Sequence, residues 1–171
     1  LTAFFATAYY TTYSYIEPFL KEQVGMNNTL VTASLMLFGT AGILGSVAFS
    51  RYYTRNRYAF NTCCFIVIGA CIALLLPVSG SIPVTLLLLA LWGVVGTAFN
   101  IAMQSEIINI APPEGTSVAM SIFSGIFNFG IGTGAFIGGM VCRHIGLPHI
   151  GTVGGIIAVG TLLFWLFWLQ K

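Results

Sequence analysis

Six apolar stretches, at about residues 1–20, 29–50, 59–77, 83–106, 117–142 and 149–169, follow one another with only short polar separators between them. Each approaches the ~20 residues that an α-helix needs to cross a hydrocarbon core of about 30 Å. No separator is long enough to hold a soluble domain, so the whole of residues 1–171 reads as one six-helix transmembrane unit. Composition agrees: 57% of the 171 residues are hydrophobic and 6% are charged, against about 25% charged in a soluble domain. With so few charges there is nothing to wet a globular surface, and the fourteen phenylalanines must face something other than water. The expected fold class is therefore an all-α membrane protein with the bilayer as its solvent.

The separators carry turn chemistry: Lys21 to Asn28, Arg51 to Arg57, Pro77 to Pro83, Ala111 to Gly115 and Arg143 to Pro148. An even number of spans puts both termini on one side, together with Arg51, Arg55, Arg57 and Lys171, and leaves Lys21 and Arg143 on the other. By the positive-inside rule both termini are cytoplasmic. The net charge of +2 comes mostly from the single arginine run, too small for a nucleic-acid surface, so nucleic acid is excluded as a partner. Cys63, Cys64, Cys71 and Cys142 form no C-x-x-C pair and read as small hydrophobes, with no metal, cofactor or redox role. The first residue is Leu1 rather than Met and the chain begins and ends in apolar sequence, which leads us to expect a piece of a longer protein.

Polar residues inside the stretches mark the functional faces. Thr7, Tyr10, Tyr13, Ser14 and Glu17 recur at helical spacing along the first stretch, a stripe that lipid cannot satisfy. Gly93, Gly96, Asn100 and Gln104 line one face of the fourth stretch. In the fifth, Gly130, Gly134 and Gly138 form a packing face, while Ser121, Ser124 and Asn128 look the opposite way, about 200° around the helix. Helix rise puts Tyr10 and Asn128 near the midplane, Asn100 about 7 Å to the cytoplasmic side and Glu17 roughly 10 Å to the outer side. Membrane amides either bond a neighbouring helix or line a watery cavity. Three helices offering such groups at one depth point to a shared cavity. Glu17, followed by Pro18, reads either as a proton-carrying or substrate-binding carboxylate or as an interfacial residue where proline ends the helix. Glu106 and Glu114 read as solvated charges at the cytoplasmic end of the fourth stretch and beyond.

Phe38-Gly39 with Gly42 and Gly45 in the second stretch, and Phe129-Gly130 with Gly134 and Gly138 in the fifth, suggest two three-helix repeats of opposite orientation; glycine is also simply common in packed membrane helices. Other motifs fail. Gly130-Ile131-Gly132-Thr133-Gly134 follows no strand and has no acid about 20 residues on, so it is no dinucleotide loop. Ser124 stands roughly 25 to 35 Å by helix rise from His144 and His149, which rules out an intramembrane serine protease. No catalytic set remains, and the chain is not expected to be an enzyme. Asn27-Asn28-Thr29 is formally a glycosylation sequon.

The runs Tyr13-Ser14-Tyr15-Ile16-Glu17-Pro18-Phe19, Phe38-Gly39-Thr40-Ala41-Gly42-Ile43-Leu44-Gly45-Ser46 and Phe123-Ser124-Gly125-Ile126-Phe127-Asn128-Phe129-Gly130-Ile131-Gly132 resemble the C-terminal half of bacterial sugar efflux transporters. Those are members of the major facilitator superfamily, in its drug:proton antiporter branch. The resemblance implies that the six stretches are helices seven to twelve of a twelve-helix transporter of the bacterial inner membrane, partnered by an N-terminal six-helix half. It further implies that the first and fourth helices of each half line a central cavity, the second and fifth flank it, and the third and sixth support it. The loop with Gly45, Arg51, Arg55 and Arg57 resembles a degenerate copy of the superfamily's cytoplasmic loop motif; Thr54 stands where an aspartate is expected, so the charge relay of the intact motif does not carry over. Alternating access, export and proton drive are implied on the same ground.

On this reading Tyr10, Tyr13, Ser14, Asn100, Gln104, Ser124 and Asn128 contribute to binding a sugar, the amides bonding hydroxyls and the phenols covering the apolar face of the ring. Glu17 is the candidate for proton coupling within this half. Two other readings stay open, a multidrug exporter of the same fold and a six-helix channel or scaffold. The scarcity of intramembrane carboxylates disfavours cationic drugs.

Overall fold

The computed structural model describes residues 2–169, so Lys171 of the charge argument lies outside the described residues. Every element is helical and no strand occurs among the described residues. The order is α1 (Thr2–Tyr13), α2 (Ile16–Pro18), a π-turn (Phe19–Gln23), α3 (Asn28–Tyr52), α4 (Arg57–Val78), α5 (Ile82–Ile110), α6 (Thr116–His144) and α7 (Ile150–Leu169), with short 3-10 turns at Pro113–Gly115 and Leu147–His149. Five segments are each long and apolar enough to cross a membrane: α3, α4, α5, α6 with its preceding turn, and α7 as far as Phe167 with its preceding turn.

The first stretch corrects the expectation of a single helix. Proline has no N–H to give and its ring clashes with the carbonyl four residues back, which for Pro18 is that of Ser14. The α-helix accordingly stops at Tyr13. The Tyr15 N–H bonds Thr12 O at 3.1 Å, tightening the last turn, and the chain re-enters helix at Ile16. The stripe is therefore cut: Tyr10 and Tyr13 stay on α1, whereas Ser14 and Glu17 lie at and beyond the break.

Starts and stops elsewhere follow local chemistry. Asn27 Oδ1 accepts the Leu30 N–H at 2.9 Å and Asn56 Oδ1 accepts that of Ala59 at 3.0 Å, so an asparagine cap opens both α3 and α4. The sequon's Asn27 is thus committed to a helix cap. Gly25 and Gly146 take φ of +78° and +114°, conformations open to glycine, where the chain turns into α3 and out of α6.

Glycine decides which helices touch. Ala3 O and Ala6 Cβ lie 2.7 and 2.6 Å from where a Gly130 Cβ would stand; Thr7 O lies 2.6 Å from that of Gly134, and Thr11 O 2.5 Å from that of Gly138. Each four-residue step on α6 meets a four-residue step on α1, so the two helices run parallel in close contact. The same device joins α3 to α5, where Gly42 faces Thr97, Gly45 faces the Val94 carbonyl and Gly93 faces the Phe38 backbone. The helices α4 and α7 run antiparallel, with Gly151 against Leu75, Gly155 against Ala73 and Ala158 against Gly69.

Exchanging the first three spans for the last three reproduces this map. The first span pairs with the fifth as the fourth does with the second; it meets the sixth as the fourth meets the third; and the third pairs with the sixth. That is a pair of three-helix repeats. The core between them holds Trp92, Phe99, Phe19 and Leu89, fully buried, while Phe129, Phe136, Ile110 and Phe167 stand outward. Such an apolar exterior suits lipid and not water.

Replacing Gly134 by valine puts carbon where the Thr7 carbonyl and the Thr11 amide now sit, 2.6 and 2.9 Å away. Overpacking of this kind typically costs about 1–3 kcal/mol. The thermal midpoint of the purified protein in detergent should fall in Gly134→Val and stay near wild type in Gly132→Ala, whose Cβ would meet nothing within 4 Å.

Candidate functional site

A cavity of about 220 Å³ opens between α1, α5 and α6. From α1 come Phe5, Tyr9 and Tyr10; from α5 Gly96, Thr97, Asn100 and Ile101; from α6 Phe127. Half of these lining residues are aromatic. Tyr10 meets Phe127 edge to face, with centroids 6.1 Å apart at 90°, and Phe5 packs on Phe99 at 4.3 Å. The polar groups are the hydroxyls of Tyr9, Tyr10 and Thr97 and the amide of Asn100, and no ionisable carboxylate lines the space. A Cβ on Gly96 would lie 2.9 Å from the Tyr9 hydroxyl, so glycine here is what leaves the phenol room.

The predicted residues divide. Tyr10 and Asn100 line the cavity. Gln104, one turn beyond Asn100, does not; its Nε2 donates to Asn100 Oδ1 at 2.6 Å. Tyr13 stands behind the cavity in an aromatic cluster with Tyr9, Phe38 and Trp92, its ring 5.7, 5.2 and 6.1 Å from theirs. The buried Trp92 indole N–H has no partner among the described residues. Gly93 leaves the expected row with Gly96 because the Phe38 backbone occupies its side of α5. Ser124 and Asn128 are exposed on the side of α6 turned away from the glycine ladder, and the Asn128 amide donates to the Ser124 carbonyl at 2.8 Å. Ser14 is exposed at the break of the first span. Glu17 is exposed in a separate groove of about 370 Å³ that it shares with Lys21, Asn28 and Thr32.

The sequence reading missed Tyr9, one residue off the polar stripe, and misjudged Glu106. Far from being solvated, Glu106 is 23% exposed at the side chain and gathers three groups. Tyr53 donates its hydroxyl to Oε1 at 2.8 Å, Asn61 donates its amide to the same oxygen at 3.4 Å, and Arg57 approaches Oε2 at 3.6 Å. Burial, and then the hydrogen bond to Glu106, push the Tyr53 phenol up to about 12. The knot ties the end of α3 and the start of α4 to α5. Spacing could not reveal it, because the partners lie 45 and 53 residues away. Arg57 is thereby a structural ion pair, whereas Arg51 and Arg55 are exposed, and Gly45 serves the contact of α3 with α5. The thiols of Cys63, Cys64, Cys71 and Cys142 are free.

The family model described as Major Facilitator Superfamily matches residues 1–171.

Glu106→Ala removes the acceptor of the buried Asn61 amide, and stranding such a group typically costs about 1–3 kcal/mol. The thermal midpoint should drop by more than in Glu106→Gln, which keeps an acceptor oxygen. Because the Tyr53 phenol holds its proton more tightly in the fold than in the unfolded chain, its contribution is complete below about pH 10. It is lost as the pH rises from there through about 12. Tyr53→Phe should flatten that alkaline decline in a pH-resolved melting series.

Proposed function

Because the chain belongs to the major facilitator superfamily, we propose that it is the C-terminal six-helix half of a proton-coupled secondary transporter exporting small sugars or sugar-like solutes by alternating access. The observation that carries this reading is the cavity between α1, α5 and α6, a carboxylate-free space with four aromatic rings and one amide in its wall. A sugar offers hydroxyls to the Asn100 amide and C–H faces to the Tyr10 and Phe127 rings. A lipophilic cation would find rings but no anion to balance its desolvated charge, so the multidrug alternative is weaker. The six-helix channel is weaker too: a half with an open face lined by Ser121, Ser124 and Asn128 suits a facing half that completes the site.

In this arrangement the α1–α6 and α3–α5 pairs rock as one body against the facing half, and the Arg51–Arg57 loop and both termini lie in the cytoplasm. Glu17, in its outer groove, is the coupling carboxylate of this half; Glu106 is already engaged by Tyr53, Asn61 and Arg57.

Cells expressing the full-length protein should accumulate less labelled pentose or methyl thiogalactoside than control cells, and an uncoupler of the proton gradient should abolish the difference. Tyr10→Ala and Asn100→Ala should weaken export about tenfold, the scale of a lost hydrogen bond or ring contact at a desolvated site, with membrane insertion unchanged. Unchanged accumulation of every sugar tested, with export of lipophilic cations instead, would transfer the assignment to drugs. Glu17→Gln should leave exchange of labelled sugar intact and remove the uncoupler-sensitive component; retention of that component would place coupling outside this half.

A further inference from the structure

The hydrogen bond between Gln104 and Asn100 fixes more than a rotamer. A primary amide has one acceptor oxygen and one NH₂ group with two donors. Here the Asn100 oxygen already accepts from Gln104 Nε2 at 2.6 Å, within the same turn of α5. Asn100 lines the cavity and Gln104 does not. The Asn100 NH₂ has no partner among the described residues and is not sealed from solvent. Asn100 turns over only if Gln104 turns with it, because donor would otherwise face donor. The remaining polar groups of the walls, the Tyr9, Tyr10 and Thr97 hydroxyls, both give and accept hydrogen bonds. Asn100 is thus the one group in the cavity wall whose orientation is coupled to a neighbour outside it.

We infer that Gln104 is a positioning residue that presents Asn100 to the cavity as a hydrogen-bond donor, so that the solute bound there is recognised through an acceptor oxygen. This deepens the reading of the cavity as a sugar site and rests on it for the ligand. For a sugar the consequence is specific: one ring hydroxyl is read as an acceptor. Fluorine at that carbon can still accept weakly and is tolerated, whereas hydrogen at the same carbon is not. Gln104 therefore acts on affinity and on selectivity between analogues, without touching the solute.

The test uses the full-length protein with labelled methyl thiogalactoside as the transported probe and a series of monodeoxy and monodeoxyfluoro galactosides as competitors. In the wild type, one ring position should show the fluoro analogue competing and the deoxy analogue about five- to tenfold weaker, the scale of one neutral hydrogen bond. Gln104→Glu offers Asn100 a carboxylate, which accepts; Asn100 must then donate to it and turn its oxygen to the cavity. The fluoro analogue should become as weak as the deoxy one, with KM altered and maximal rate preserved. Gln104→Leu should weaken binding without reversing the preference. A wild type that rejects the fluoro analogue at every position, or a Gln104→Glu variant with the wild-type pattern, overturns the inference.

A second readout is independent of the sugar. With ¹⁵N-glutamine labelling in lipid nanodiscs, the Gln104 side-chain amide, identified by its disappearance in Gln104→Glu, should resonate downfield and exchange slowly with water. If methyl thiogalactoside is not carried at all, the sugar reading fails, and this resonance alone decides the role of Gln104. A position and exchange rate typical of a hydrated amide would overturn it.

Discussion

The close approach of α1 to α6 is the contact on which the site depends. Gly130, Gly134 and Gly138 bring the α6 backbone within van der Waals reach of Ala3, Thr7 and Thr11. In a bilayer no hydrophobic force draws two apolar helices together, so association rests on surface fit and on backbone proximity, both of which small residues provide. Once the ladder is engaged, the register of α1 on α6 is set, and that register puts Tyr10 beside Phe127 at the edge of the cavity. A one-residue slip would turn larger side chains into the seam and carry Tyr10 away from α6. Thr7 and Thr11 help by returning their hydroxyls to Ala3 O and Thr7 O, at 2.8 and 2.7 Å, which leaves no unsatisfied donor in the seam.

The symmetry of the packing gives the cavity its third wall. The α3–α5 contact repeats the α1–α6 contact with the roles of the two repeats exchanged, and it holds α5 with Gly96 and Asn100 facing α1. Along α5 three small residues do different jobs. Gly93 admits the Phe38 backbone, Gly96 admits a phenol, and Ala102, fully buried, sits in the core. A helix so used on several sides shows little amphipathic contrast, and its polar row has to be found residue by residue.

Much of this was legible in the sequence. Continuous apolar stretches of the right length leave only one kind of element, and glycine at four-residue spacing in the fifth stretch marks a face that packs, with Ser124 and Asn128 necessarily on the other. Tyr10 and Asn100 were legible as polar groups at similar depth on different helices. The misses share a cause, which is that helical spacing assumes a continuous helix and says nothing of what stands opposite. Pro18 acts four residues upstream, at Ser14, so the stripe ends before Glu17. Gly93 is one turn from Gly96 but belongs to another interface because α3 passes there. Glu106 reads as a loop charge until the end of α3 and the start of α4 fold back to cover it. Tyr9 falls off the stripe because a large ring reaches sideways into a gap that only the neighbouring Gly96 creates.

Charge and cavity are kept apart, and the separation has a physical use. The half-buried acidic knot of Glu106 lies at the Arg57 end of α5, and Glu17 with Lys21 lies in a groove at the opposite end of the first span. Between them the cavity wall is neutral. An ion held at that depth would bind its counter-ion too tightly to release it, and emptying the site would leave a bare charge in low dielectric. Hydroxyls and an amide set a smaller penalty when empty, because water replaces the solute at each hydrogen bond. If the cavity is the solute site proposed above, it has to be vacated in every cycle, and such groups serve that better. In the proposed cycle the fixed charges hold helix ends in place while the middle of the bundle changes its partners.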